Sequence, residues 1–160
     1  LFRSASLSGI RKARRSGFEV RESDDIDAFW TILSENLRVK YNAMPVHTAS
    51  EMRLLKERFP DKIRLFMTYR GDVPMGGTVL YLTPQVVHTQ YISASSEGKQ
   101  LGALDLLFDY LLNEMDFHRP YFDFGTSARE NSNEVLSSLI FQKQGFGGRS
   151  VCYDWYEYDL

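Results

Sequence analysis

The stretch "ASSEGKQLGALDLL", Ala94 to Leu107, joins a strand-like run to the strongest helical pattern in the chain, and its reading decides the fold. Leu101, Leu104, Leu107, Phe108, Leu111, Leu112 and Met115 recur at three- and four-residue spacing, which predicts a helix over residues 99–116. Upstream, "VVHTQYIS" (86–93) has strand character; downstream, after Pro120, "YFDF" (121–124) reads as a short strand. A strand, a crossover helix and a second strand pack right-handed and place the two strands parallel. Gly98 and Gly102 leave the junction two meanings. It is a plain, glycine-tightened helix start, or a cradle of free amides at a positive helix end, with Lys99 beside it, for an anionic ligand.

The flanking sequence completes the architecture. "IRLFMTY" (63–69), "GTVLYLT" (77–83) and residues 86–93 follow one another through turns at "RGD" and "TPQ", the pattern of an antiparallel meander. "FEVRE" (18–22) alternates as a first strand, and Ser23 or Asp24 then caps a helix carrying Ile26, Phe29, Trp30, Leu33 and Leu37. Thr48 and Glu51 form a capping box for a second helix with Met52, Leu55 and Phe59. Val135, Leu136, Leu139 and Ile140 mark a helix ending at Gly145, and "RSVCYDWYEY" reads as a last strand. The order β-α-α-β-β-β-α-β-α-β predicts an α/β fold, a mixed and mostly antiparallel central sheet with helices on both faces. Residues 1–17 read as a basic linker or short helix, and residues 18–160 as one domain.

With 160 residues, 43% of them hydrophobic, the chain can bury a sizeable core. A net charge of −2 argues against a dedicated nucleic-acid binder. Arg3, Arg11, Lys12, Arg14 and Arg15 nevertheless gather without an acid, either as a solvated segment or as a contact for phosphate or an acidic partner. Cys152 is the single cysteine, so no internal disulfide forms. That fits a reducing cytoplasm, and its aromatic neighbours predict a buried strand thiol. No apolar run approaches the roughly 20 residues of a membrane span. No cluster has metal-ligand spacing, so no metal is expected. The chain begins at Leu1, as a piece of a longer protein would. "DFG" at 123–125 is a kinase triplet, but the glycine-rich loop, strand lysine and H-R-D phrase of a kinase are all missing.

Three stretches in order, "SGIRKARRSGFEV" (8–20), "FDFGTS" (122–127) and "LIFQKQGFGG" (139–148), resemble the C-terminal acyltransferase domain of Fem-type proteins. These are tandem relatives within the GNAT superfamily and include peptidoglycan interpeptide-bridge aminoacyltransferases. In that family a basic "I-R-K-A" phrase leads into the first strand, "Y-x-D-F-G" follows the long helix, and "F-K-x-x-F-G-G" precedes the last strand. Here one extra residue separates Phe141 from Lys143. The superfamily's phosphate pattern, [Gln/Arg]-x-x-Gly-x-[Gly/Ala], is met by Gly102 but has Lys99 first and Leu104 last.

The resemblance implies a GNAT-type fold and transfer of an acyl or aminoacyl group to an amine. The donor would be acyl-CoA (acetyl-CoA) or aminoacyl-tRNA, and the acceptor a small-molecule or peptide amine, in cell-envelope biosynthesis within the cytoplasm. It also implies a tandem partner domain or a homodimer. A different class of function is a non-catalytic binding or scaffolding module for a partner half-domain or ligand.

Under this resemblance Gly98, Lys99 and Gly102 cradle the donor's pyrophosphate, and a backbone N–H of strand 86–93 holds the oxyanion. Tyr91 and Ser93 end that strand and either enter the site or pack as strand residues. His47 lies where acceptor loops sit in this fold, as a base, a substrate partner or a structural histidine. Asp123 either caps a neighbouring loop or contacts substrate. Ser127 and Asn131 follow at the strand's C-terminal end, where ligands of open α/β sheets bind. Lys143 either meets its own helix's last carbonyls or, by resemblance, faces the donor. His88 and His118 show no partner motif.

Overall fold

The computed structural model describes residues 2–128, 134–152, 154 and 156–158. In chain order they form α1 (Ser4–Arg15), β1 (Phe18–Ser23), α2 (Ile26–Tyr41), α3 (Ala49–Arg58), β2 (Ile63–Arg70), β3 (Val73–Leu82) and β4 (Val86–Ala94). Then come α4 (Ser96–Leu101), α5 (Ala103–Asn113), β5 (Tyr121–Asp123) and α6 (Ser137–Gly145). Among the described residues one five-stranded sheet runs β1-β2-β3-β4-β5. Its first three pairings are antiparallel and β4–β5 is parallel, as the meander and crossover predict.

Both faces are covered. α2 and α3 pack Ile26, Phe29, Trp30, Leu33 and Met52 on Leu65, Met67 and Val79. On the opposite face Leu107, Phe108 and Leu111 of α5 meet Phe66, Leu80 and Val87. This double coverage is why β2 is buried almost throughout, without the alternation of a half-exposed strand. Buried threonines find backbone acceptors: Thr68 Oγ1 donates to Ala103 O at the start of α5 at 3.0 Å, and Thr78 Oγ1 to Tyr91 O within the sheet at 2.8 Å. The capping box on α3 forms as read, with Thr48 accepting from the Glu51 amide and Glu51 from the Thr48 amide.

Two expectations change, and of the linker and short-helix readings of residues 1–17 the helix holds. The helix over 99–116 is two helices, α4 and α5, broken at Gly102, and it ends at Asn113. Gly102 has φ +84°, and a Cβ there would stand 2.4 Å from Gly9 O of α1, so the break is where the two helices touch. Residues 4–15 form a packed helix: Ile10 and Ala13 are buried, and Lys12 donates to Gln100 O at 2.7 Å. Arg14 reaches Asp109 at 2.9 Å, so these basic residues hold α1 to the fold. In 149–158 no described residue belongs to a strand; all are exposed, Cys152 included, which corrects the buried strand thiol. Alternating aromatics make a strand only against a ladder partner, and three-residue β5 offers a very short one.

Gly98 is as constrained as Gly102, for a Cβ there would lie 2.0 Å from Met75 O. Gly98→Ala and Gly102→Ala should each lower stability by about 2 kcal/mol, read by denaturant unfolding. Burial pushes the Asp105 carboxyl, pressed against Gly9 in the first turn of α5, up to about 6 from 3.8. The folded chain therefore keeps a proton that the unfolded chain has lost between those values, and stability falls as pH rises through that window. Asp105→Asn should raise the melting temperature above about pH 6 and lose that advantage below pH 3.8.

Candidate active site

The site begins with a fault in the sheet. The β3–β4 register passes from Val79↔Tyr91 to Leu80↔Thr89, so Gln90 is an extra, bulged residue. The β4–β5 ladder runs only from Val86↔Tyr121 to His88↔Asp123. Gly125, with φ +73°, turns the chain out of the sheet. Past the bulge no described strand pairs with the outer edge of β4. Ser95 N donates to Met75 O at 2.9 Å, so residues of its alternating set turn inward to β3. The amides of Ile92 and Ala94 therefore point outward, into a wedge between diverging parallel strands.

On the α2 side of this wedge Tyr91 OH lies 2.6 Å from His47 Nδ1. Trp30 donates its indole N–H to His47 O at 2.9 Å and packs edge-on to Tyr91 with ring centroids 5.2 Å apart. The loop bearing His47 is thus tied to the core by Trp30, and its ring is aimed at β4. A shallow cleft of about 580 Å³ lies alongside, lined by Trp30, Ser34, Glu35, Arg38 and Met44 among others. Burial, and then the neighbouring Tyr91, push the Tyr81 hydroxyl pKa up.

At the far end of β4, Ser93 is 5% exposed and Asn36 Nδ2 donates to its Oγ at 2.8 Å. Lys99 donates to Asn36 Oδ1. Gly98 gives its amide to Ser95 Oγ at 3.0 Å, the cap of α4, and a Cβ would meet Met75 O at Gly98 and Gly9 O at Gly102.

The fork itself is clamped. Asp123 Oδ2 meets His88 Nδ1 at 2.7 Å, and Oδ1 accepts the Gly125 amide at 2.8 Å. His88, which shows no partner motif in the sequence, finds one across the parallel ladder. Burial pushes the Asp123 carboxyl up, but the bonds from His88 and Gly125 and the nearby charges of His88 and Lys143 outweigh it and hold the pKa below its ordinary value. Lys143 donates to Gly125 O at 2.7 Å and Thr126 O at 2.6 Å, bridging α6 to the exit of β5 instead of capping its own helix. Burial lowers the Lys143 pKa, with Asp123 working against it. Ser127 is half-buried and its carbonyl accepts from Leu136 N at 2.8 Å; Asn131 lies outside the described residues. His118 is exposed beside Asp116. Trp30 and Asn36 carry no mark in the sequence beyond their places on α2.

A mixed sheet whose one parallel pair, β4–β5, parts before a bulge in β4, with a helix starting at the end of the first strand of that pair, defines the class. The chain belongs to the acetyltransferase (GNAT) domain family, whose profile matches residues 2–131. A possible acetyltransferase from Clostridium difficile 630 shares the fold at 15% identity and TM-score 0.64, over 89% of this chain and 97% of that one. FemX shares it at 12% identity and TM-score 0.66, over 91% of this chain and 54% of its own. An aminoglycoside acetyltransferase from an uncultured soil metagenomic sample, in complex with sisomicin, does so at 11% identity and TM-score 0.61, over 91% and 99%. At these identities the likeness is one of fold. No curated protein matches the sequence.

The clamp predicts an acid-side signature. With a folded pKa below the unfolded 3.8, Asp123 contributes stability that is present above that pH and lost as pH falls through its lowered value. The stability difference between the parent and Asp123→Asn should hold near neutrality and shrink below pH 3.8, by denaturant unfolding across pH.

Proposed function

We propose that this domain transfers an acyl group from a coenzyme A thioester to an amine. The observation carrying this is the wedge beyond the Gln90 bulge, where two outward amides of β4 stand opposite a polar pair, His47 and Tyr91. The outward amides of Ile92 and Ala94, to which no described strand pairs, suit an extended, amide-bearing donor arm, which would bond them as a strand does. Lys99 and Lys143 are the cations on the donor side, Gly98 and Gly102 shape its floor, and Ser127 borders it. Bound there, the donor supplies an activated carbonyl on a thiolate leaving group.

The amides of Ile92 and Ala94 stabilise the oxyanion that develops as the amine attacks. His47 takes the amine's proton. In the tautomer with its proton on Nδ1, donated to Tyr91 O, its Nε2 lone pair is free for this and the Tyr91 O–H turns toward the wedge. The cleft beside Trp30 and Glu35 receives the acceptor, an amine whose cationic form Glu35 would attract. Asp123 borders the acceptor path from the β5 side.

The sequence's resemblance to Fem-type proteins suggests a second donor, aminoacyl-tRNA, along with a cell-envelope role, a tandem or dimeric partner and a cytoplasmic setting. The exposed α1 cations Arg11 and Arg15, which pair with no acid among the described residues, are groups such a donor would meet. Among the described residues no helix is long and apolar enough to cross a membrane.

Acetyl-CoA at 100 times its dissociation constant should stabilise the domain by about 2.7 kcal/mol, seen as a rise in melting temperature. Thiol release should follow on adding a primary amine. His47→Gln should cut kcat by roughly 10²-fold or more, with little change in KM for the donor. Absence of both the shift and thiol release, with any CoA thioester and any aminoacyl ester, would instead support a binding or scaffolding module.

A further inference from the structure

Asn36, on α2, carries a set of contacts that one orientation of its side chain satisfies. Its Nδ2 carries two hydrogens and lies 2.7 Å from Ala94 O, 2.8 Å from Ser93 Oγ and 3.0 Å from Ile32 O, so one hydrogen is shared between two of these acceptors. Its Oδ1 accepts from the Lys99 ammonium. A flipped amide would set its oxygen against two carbonyls and its NH₂ against an ammonium, so the orientation is enforced. Ser93 Oγ is thereby made an acceptor, and among the described residues no acceptor takes its own O–H. A buried hydroxyl with an uncommitted hydrogen is costly unless a ligand or an ordered water accepts from it.

The geometry points to Asn36 as a positioning residue, held by Lys99, that presents Ser93 as a hydrogen-bond donor to the departing sulfur of the donor. This rests on the acyltransferase reading above. The amine nitrogen bonds to the acyl carbon, and the carbon–sulfur bond breaks with its electron pair on sulfur. The proton shed by nitrogen passes through His47 to the thiolate or solvent. Ser93 keeps its own proton and only stabilises the charge growing on sulfur. Lys99, drawing on Oδ1, makes the Nδ2 hydrogens better donors, and they in turn make the Ser93 O–H a better one. In this role Lys99 acts through Asn36 and needs no direct contact with phosphate.

Asn36→Asp reverses the donor into an acceptor and still faces Lys99. With an alkyl thioester donor, kcat should fall on the order of 10²-fold, while KM for the donor stays within about 2-fold. Ser93→Ala should match it, and the double variant should be no worse than Ser93→Ala alone. The defect should shrink with an aryl thioester, whose thiolate leaves without help. That trend is one that a merely structural role would not produce. Parent-like kcat in Asn36→Asp, additive losses in the double variant, or a defect independent of the leaving group would overturn the assignment alone. Should Asn36→Asp fail to fold, Ser93→Ala carries the same test, and parent-like kcat there overturns it. No turnover by the parent with any thioester would overturn the acyltransferase reading and this assignment with it.

Discussion

Two parallel strands that stay paired for three residue pairs and then part are the constraint on which this domain depends. Hydrogen bonding within a sheet is a debt that every strand edge must settle, so a ladder that opens after so few pairs persists only if something holds it open. Here the bulge at Gln90 shifts the register of β4, and Gly125 turns the chain out of β5. The His88–Asp123 pair sits at the last paired position, and Lys143 fastens the exit loop just beyond it. The wedge is therefore a fixed product of backbone geometry and two polar clamps.

The two faces of the sheet then divide the labour. α5 and α1 seal one face with aliphatic and aromatic packing, and their closest approach, Gly9 against Gly102, breaks the crossover helix. The other face keeps its polar groups where β4 opens. Trp30 bonds the His47 loop to the core, His47 engages Tyr91, and Asn36 engages Ser93. α2 supplies two of these contacts, so it is a wall of the site as well as core.

Several elements were legible in the chain because their causes are local. The capping box at Thr48 and Glu51 lies within one helical turn, and the meander follows from alternating runs separated by short turns. The parallel pairing of β4 with β5 follows from crossover chirality. The break at Gly102 was not legible, because its cause is a glycine on another helix. The aromatic run after Gly148 misled, since alternation states a preference for a sheet surface without supplying a neighbour.

The site shows the same division more sharply. The sequence by itself determined the residue types and the strand end where they gather: Tyr91, Ser93 and the glycines after them. Tertiary structure alone decided what they touch. His47 and Tyr91 are 44 residues apart, Asn36 and Ser93 57, and His88 and Asp123 35. Hydrogen bonds act over about 3 Å and leave no periodicity in a chain, whereas hydrophobic burial is spread over a face and does. Asp123 likewise shows in the chain neither of the partners that folding brings to it, an imidazole across the ladder and an amide two residues on.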